Sequence, residues 1–201
     1  MVLRFLDKGE NMTVEEVLKT VSLYLDKYEV FEDYFTNNEL NASEDVKIEF
    51  EKILCAINNI CVKIADNLNV LKFREKLKVE NFKINFNKLS KKYKTIKKII
   101  TVEGNKRLSF KKFDDYIYIN FDGEVYVEYI YFPDKLKSIS DEIVFKNINI
   151  RTFALGVISE YCFMIGLFDD AQIWEERFLT EIKSKGDFYN GFVMPRKKWG
   201  I

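Results

Sequence analysis

The sequence predicts an α+β fold, in which a helical bundle carries an inserted small antiparallel β-sheet or sandwich and an extended carboxyl-terminal tail. Apolar residues recur at three- and four-residue spacing near both ends of the chain, as in amphipathic helices. In the middle they alternate with polar residues, as in strands. A chain of 201 residues with 47% hydrophobic residues is long enough to bury a substantial core.

The predicted organisation is one compact unit with four parts. Residues 1–69 are expected to form amino-terminal helices, and residues 70–148 the β insertion. Residues 149–185 are expected to form a helical hairpin that packs with the amino-terminal helices, and residues 186–201 an extended arm. Eight glycines, two prolines and no low-complexity tract leave no flexible linker between these parts.

Two helices are predicted in the amino-terminal part. Thr13 and Glu16 form a capping box, and the apolar residues that follow predict a first helix from Thr13 to about Tyr28. Ser43, followed by two acidic residues, opens a second helix of about six turns. The apolar positions of this second helix are Val46, Phe50, Ile53, Leu54, Ile57, Ile60, Cys61 and Ile64.

Five or six short antiparallel strands are predicted in the β insertion. Turn residues stand at Glu103-Gly104-Asn105 and at Asp122-Gly123, and the second is the strongest hairpin signal in the sequence. The stretches with strand-like pattern are Phe82–Phe86, Ile96–Val102, Leu108–Phe113, Tyr116–Asn120 and Glu124–Phe132.

Two further helices are predicted after the β insertion. The third helix is expected from near Ile150 to Gly166, a typical C′ residue, and Asp169 is expected to cap the fourth. Because only three residues separate them, the two helices should fold back as an αα-hairpin. The fourth helix is expected to bury a stripe of Ala171, Trp174, Phe178 and Ile182.

Charge is strongly segregated although the net charge is zero. Residues 70–113 carry 15 basic and 3 acidic side chains, a net charge of +12, whereas residues 1–66 carry 7 basic and 14 acidic ones. The basic block is interpreted as a surface for DNA, as a surface for a neighbouring copy, or as a solvated sheet face. Its candidate residues are Lys88, Lys91, Lys92, Lys94, Lys97, Lys98, Lys111 and Lys112.

The cysteines and the apolar runs indicate the cellular compartment of the protein. Cys55, Cys61 and Cys162 form no CxxC pair and are expected to be buried thiols in a reducing compartment. Charges interrupt the first ten residues, so they do not resemble a signal peptide. No apolar run approaches the roughly 20 residues that span a bilayer. The sequence therefore predicts a soluble intracellular protein with no membrane partner.

The usual signatures of catalysis are missing from the sequence. The chain contains no histidine, which excludes Ser-His and Cys-His nucleophilic systems and HExxH zinc sites. It also contains no GxxxxGK[ST] or GxGxxG phosphate loop. Asp169 and Asp170 are interpreted as residues of a helix start rather than metal ligands, and Glu160 is expected to pair with Arg177. No catalytic residue, cofactor or metal is predicted.

The end of the sequence combines features that a disordered tail usually lacks. Met194–Trp199 holds a proline, three adjacent cations and a tryptophan, with aromatic residues just upstream. Burying one tryptophan contributes about 2–3 kcal/mol, so a docking site is expected in the chain's own core or in a partner. The candidate arm residues are Phe192, Pro195, Arg196, Lys197, Lys198 and Trp199.

One run of residues resembles the tailed-phage head–tail connector proteins, also called adaptor or neck proteins. The run consists of Gly156, Glu160-Tyr161-Cys162, Gly166-Leu167-Phe168, Asp170-Ala171, Trp174, Arg177-Phe178, Pro195-Arg196 and Trp199. The likeness is close over residues 150–199, and elsewhere only the order of parts agrees.

The resemblance implies a structural virion protein without catalytic residues. About a dozen copies would form a ring beneath the portal protein, with a tail or stopper protein on the other side and DNA passing through the lumen. The carboxyl-terminal arm would reach the portal. The location would be the virion neck, and the bacterial cytoplasm during assembly.

Two other functions stay open at this point. The basic, aromatic strands favour a nucleic-acid-binding module in which lysines follow the phosphate backbone and aromatic rings stack on bases. A small enzyme of unknown reaction is the third hypothesis.

Overall fold

A computed structural model of the chain describes residues 12–37, 42–67 and 70–184. Within these residues the chain forms five α-helices and nine short strands, so the fold is α+β as predicted. The chain divides into two compact units. The helical unit consists of Met1–Ile64 and Lys135–Ile201, and the sheet unit consists of Ala65–Asp134.

Five helices and one short strand pair are found in the part of the helical unit that the structure describes, although the last turn of α3 lies in the sheet unit. Strands β1 and β9 pair antiparallel, with Met12 opposite Ile143. The elements are β1 Met12–Thr13, α1 Val14–Tyr24, α2 Tyr28–Asn37, α3 Glu44–Asn67, β9 Glu142–Ile143, α4 Ile150–Met164 and α5 Phe168–Ser184.

The start of α1 is as predicted, but its end is not. Thr13 Oγ1 accepts a hydrogen bond from the Glu16 backbone N–H, and Glu16 in turn accepts from the Thr13 N–H at 2.8 Å, so the capping box is confirmed. The helix ends at Tyr24 rather than Tyr28. Asp26 adopts a positive φ of 55°, and the following N–H of Lys27 donates to Ser22 O at 2.8 Å. This turn ends α1 and lets α2, which the sequence pattern did not predict, begin at Tyr28.

Helices α4 and α5 form the predicted αα-hairpin. Gly166 has a φ of +86° and is the C′ residue of α4, as predicted. The Leu167 N–H donates to Cys162 O at 2.9 Å, which completes the closing turn of this helix. The predicted cap at Asp169 is wrong, because α5 begins at Phe168. Asp169 and Asp170 therefore lie in the first turn, where they stabilise the positive end of the helix dipole.

Close contact between α4 and α5 depends on Gly156. A Cβ at this position would lie 3.0–3.2 Å from the Phe178 ring, which is fully buried. Of the predicted stripe on α5, Ala171, Phe178 and Ile182 are buried, whereas Trp174 is only half-buried. Other buried residues of the helical unit include Val17, Leu18, Val21, Phe31, Ile53, Ile57, Ile60, Phe153, Val157 and Ile158.

The described residues of the sheet unit form two antiparallel sheets. One has the strand order β2-β8-β4-β5 and the other β3-β7-β6. Their apolar faces share one core, formed by Val79, Ile99, Val125, Val127 and Tyr129 of the first sheet and Ile84, Ile117 and Ile119 of the second. The strands are β2 Lys72–Val79, β3 Lys83–Asn85, β4 Tyr93–Thr101, β5 Arg107–Leu108, β6 Phe110–Lys112, β7 Tyr116–Ile119 and β8 Gly123–Tyr131.

Of the two predicted turns, only one joins paired strands. The turn at Glu103-Gly104-Asn105 joins β4 to β5, and both Gly104 and Asn105 have positive φ. The hairpin predicted at Asp122-Gly123 is wrong, because β7 pairs with β3 and β6 while β8 pairs with β2 and β4. At Asp122-Gly123 the chain therefore passes from the three-stranded sheet to the four-stranded sheet.

Residues 135–148, which the sequence pattern assigned to the β insertion, belong to the helical unit. Asn58 of α3 holds the start of this segment by two hydrogen bonds with the Leu136 backbone, at 2.8 and 3.0 Å. Further along, β9 pairs with β1.

Candidate interaction surfaces

Large apolar side chains are exposed where α4 turns into α5. We call Phe163, Met164, Ile165, Leu167 and Phe168 the hairpin tip. The two phenylalanines are 60% and 62% exposed, and their rings meet edge to face with 5.5 Å between centroids. Every member is at least 40% exposed. Contiguous apolar surface of this kind marks a site of association in soluble proteins.

Acidic residues surround a shallow cleft beside the hairpin tip. The cleft has a volume of about 400 Å³, and its lining includes Phe163, Phe168, Glu160 and Glu175. Glu175 pairs with Lys63 of α3 at 2.6 Å. Glu160 accepts a hydrogen bond from Asn59 at 2.9 Å, so the predicted pairing of Glu160 with Arg177 is wrong. The Arg177 guanidinium lies instead 4.8 Å from the centre of the Trp174 ring.

Trp174 lies on a second cleft, of about 470 Å³. Its ring contacts the Tyr24 ring edge to face, with 5.8 Å between centroids. Arg151 lines the same cleft and pairs with Glu181 at 3.5 Å. The tryptophan is therefore a half-buried wall residue rather than the fully buried core residue that its stripe position indicated.

Lys27, Glu49 and Tyr161 form a polar cluster that joins the α1–α2 turn to α3 and α4. Lys27 and Tyr161 both donate to Glu49, and Lys27 Nζ lies 2.6 Å from Tyr161 Oη. Burial raises the pKa of Glu49, but the hydrogen bonds from Lys27 and Tyr161 outweigh it and the pKa is lowered overall. Burial lowers the pKa of Lys27, and the same bonds reverse that effect and raise it.

This polar cluster is better explained as a structural link between the α1–α2 turn, α3 and α4 than as an acid–base site. Each member has its partner within the cluster, and both charged groups are held more firmly in their charged forms. A general base near neutral pH would need the opposite shift. Nearby, burial raises the pKa of the Cys162 thiol, and burial raises that of Cys61 to about 12. Cys55 is exposed, so the prediction that it is buried is wrong.

The eight candidate lysines of the basic block are spread over both sheets and the segment that joins β3 to β4. Four of them pair with carboxylates: Lys88 with Glu80, Lys91 with Asp134, Lys94 with Asp66, and Lys98 with Glu128. Lys92 lies near the Phe132 ring and Lys112 near the Tyr93 ring. Lys97 is exposed on β4 and Lys111 is exposed on β6, which belong to different sheets.

A different set of cations shares the outer face of the four-stranded sheet. Alternate residues of β2 are exposed and point away from the core, and they are all basic. Lys98 of β4 and Arg107 of β5 lie on the same face. We call this set, which consists of Lys72, Arg74, Lys76, Lys78, Lys98 and Arg107, the basic sheet face. The alternation in KFREKLKV is the sequence signal for its β2 row, whereas Lys98 is the one member of this face among the predicted candidate residues.

The one acidic side chain of β2 lies on the opposite side of that sheet. Glu75 accepts hydrogen bonds from Tyr129 Oη at 2.6 Å and from the Ser90 N–H at 3.0 Å. Burial, followed by the hydrogen bond to Glu75, raises the pKa of Tyr129. Because Glu75 points inward, it does not neutralise the basic sheet face.

The remaining features to place are a metal site, a membrane-spanning helix and the predicted arm. In the described residues, no group of three or more histidine, cysteine or acidic residues is arranged to hold a metal ion. Nor is any helix among the described ranges long and apolar enough to cross a membrane. The predicted arm residues Phe192, Pro195, Arg196, Lys197, Lys198 and Trp199 lie outside the described residues.

Comparison of the whole chain with family models gives no match, and comparison with curated proteins gives none either.

Proposed function

We propose that this protein is a non-enzymatic structural subunit of a tailed-phage head–tail connector, which assembles as a ring between the portal protein and the tail and lets DNA pass. The hairpin tip is the observation that supports this proposal most directly. A subunit that assembles side by side with its copies needs apolar surface that assembly buries. The sequence likeness over residues 150–199 includes the same helical hairpin.

Electrostatics also favours an assembling subunit. The cleft beside the hairpin tip carries Glu160, Glu175 and Glu176, whereas the sheet unit carries the whole basic block. Opposite charges on different units of one chain favour head-to-side contacts between copies, which close into rings when the rotation permits.

The proposal is tested by assembly of the purified full-length protein. Sedimentation velocity over a concentration series, alone and with the portal protein of the same phage, measures oligomer formation. Replacing Phe163 and Phe168 with serine should weaken association about 100-fold or more, because each exposed ring contributes about 1.5–3 kcal/mol when buried.

The matched control replaces two other exposed apolar residues of the helical unit, Val30 and Val62, with serine. This control should associate like the wild type. Equal association of the Phe163→Ser, Phe168→Ser variant and the wild type would refute the assembly role of the hairpin tip. A wild-type protein that stays monomeric and ignores the portal would refute the connector proposal itself.

A further inference from the structure

The basic sheet face is built from residues that the strand register places side by side. Lys78 lies opposite Glu124, Lys76 opposite Tyr126, Arg74 opposite Glu128 and Lys72 opposite Ile130. On the far side of β8, Ile100 lies opposite Tyr126, and Arg107 lies opposite Ile100. Cross-strand neighbours share a face of the sheet, so these cations project from one surface.

Only part of this charge is neutralised within the face. Lys76 pairs with Glu124 at 2.6 Å, and Lys98 pairs with Glu128 at 3.0 Å. Among the described residues, Lys72, Arg74, Lys78 and Arg107 form no ion pair within 4.0 Å. These four are also classed as exposed, so their charge is available to a ligand.

The spacing of the cations suits a linear polyanion. Alternate residues of a strand are about 6.7 Å apart, so the four cations of β2 form a straight row about 20 Å long. The strand is at the edge of its sheet, and a ligand can therefore approach the row from the side as well as from above. The guanidinium carbon of Arg74 lies 4.2 Å from the centre of the Tyr126 ring, and Arg74 remains exposed.

We propose that the basic sheet face binds the phosphodiester backbone of nucleic acid, without reading its sequence. Regular point charges match the regular charge of a phosphate backbone, and an exposed arginine can add a cation–π contact with a base. A membrane surface is disfavoured because the face offers no exposed apolar side chain for insertion, Ile100 and Ile130 being buried. A protein partner would normally meet an apolar centre, which this face lacks.

The test is a salt titration of binding, measured by fluorescence anisotropy with a labelled 20-nucleotide oligo(dT) and, separately, a labelled 20-base-pair duplex. The face variant carries Lys72→Gln, Arg74→Gln and Lys78→Gln. The control variant carries Lys111→Gln, Lys135→Gln and Lys146→Gln, which are exposed lysines outside this face, so both lose three charges. Melting curves confirm that all three proteins are folded.

The wild type and the control should bind with the same steep dependence on salt. The face variant should lose about 2 from the slope of log K against log salt on the single strand, and about 2.7 on the duplex, because three phosphate contacts are removed. Its binding at 50 mM salt should weaken about tenfold or more. The two probes decide whether a single strand or a duplex is preferred.

Three results would overturn the proposal: no binding by the wild type, equal slopes for the face and control variants, or loss of self-association rather than nucleic-acid binding in the face variant. The last result would assign the face to a second copy of the chain. The inference is independent of the connector proposal, since the Phe163→Ser, Phe168→Ser variant should retain its salt slope. Loss of nucleic-acid binding in that variant would make binding a property of the assembly and contradict the independent site.

Discussion

A single hydrogen at Gly156 sets how closely α4 and α5 approach. A methyl group there would contact the Phe178 ring at 3.0–3.2 Å, which is closer than ordinary van der Waals contact. Phe178 is fully buried, so the ring has little room to move. Gly156→Ala should therefore destabilise the protein by about 1–3 kcal/mol, even though alanine favours a helix by about 1 kcal/mol over glycine. Thermal and urea melts measure the change.

A double-mutant cycle separates this contact from the general effect of a core substitution. Phe178→Leu alone should destabilise by leaving space in the core. In the combined variant Gly156→Ala with Phe178→Leu, the methyl group occupies part of that space. The double variant should then be more stable than the sum of the single effects predicts, by at least 0.5 kcal/mol. Simple additivity would mean that the contact does not limit packing.

The thiols give a second test at the residue scale. Cys55 is exposed, whereas Cys61 and Cys162 are buried and burial raises the pKa of both. The thiolate is the reactive form, so a disulfide reagent at pH 8 should modify one of the three thiols rapidly in the native protein. The other two should react only after denaturation. Cys55→Ser should abolish the rapid phase, and a rapid phase that persists would contradict the placement of Cys55.

At the scale of single elements, the turn after α4 requires a left-handed residue. Gly166 has a φ of +86°, and a Cβ added there would meet nothing within 4 Å. Gly166→Ala should therefore destabilise by about 1 kcal/mol through backbone strain alone. Gly166→Asn should cost less, because asparagine tolerates this conformation. Equal melting temperatures for the two variants would show that strain at this turn is not the cause.

Local signals allowed several elements to be predicted, and elements without such signals were missed. The capping box of α1 and the C′ glycine of α4 involve residues within one turn of the chain, so the sequence shows them directly. The end of α1 was missed because Asp26, not glycine, adopts the left-handed conformation. The absence of a glycine also concealed α2 beyond it.

Long-range pairing explains the larger error in the sheets. Asp122-Gly123 is a favourable turn wherever it occurs, but a turn does not determine which strands pair. Val125, Val127 and Tyr129 are buried by their place between β2 and β4, and the partner of Tyr129 in that register, Phe73, is 56 positions away in sequence. Local alternation shows the β2 row of the basic sheet face in the sequence, but Lys98 and Arg107 join that row only through the sheet order β2-β8-β4-β5.

The polar cluster of Lys27, Glu49 and Tyr161 joins three elements, and its effect on stability should depend on pH. The pKa of Glu49 is lowered on folding, so its contribution is present above the ordinary value of 4.5 and is lost as the pH falls through the lowered folded value. Glu49→Gln should lower the free energy of unfolding by about 1–3 kcal/mol at pH 7. Below pH 5, the variant should lose less stability than the wild type as the pH falls. Urea melts from pH 7 to pH 3 measure both effects.

Glu51→Gln is the matched control for this prediction, because Glu51 is an exposed carboxylate on the same helix. This control should retain the wild-type dependence on pH. If both variants follow the wild type below pH 5, the polar cluster does not account for the acid sensitivity.

At the scale of the whole molecule, the two proposed interaction surfaces belong to different units. The hairpin tip belongs to the helical unit, and the basic sheet face belongs to the sheet unit. Each unit has buried apolar residues of its own, so substitutions on one surface should leave the folding of the other unit intact. One chain can thus present two interaction surfaces that are tested separately, the first by association and the second by salt-dependent binding.

The proposed arm is the last feature to test at this scale. Among the described residues of the helical unit, the buried ones lie between Met12 and Ile182. Removing Pro195–Ile201 should therefore leave a cooperative melt within about two degrees of the wild type, because surface changes rarely exceed 0.5 kcal/mol.

If the arm binds the portal protein, the truncation should abolish co-sedimentation with it. Around a ring, even ~2 kcal/mol for each copy sums to a stable attachment. Trp199→Ala should weaken co-sedimentation more than Lys197→Ala, since a buried aromatic anchor usually outweighs a charge at the rim. A truncated protein that melts much earlier would assign Trp199 to the chain's own core, and one that stays folded and still sediments with the portal would exclude the arm as the attachment.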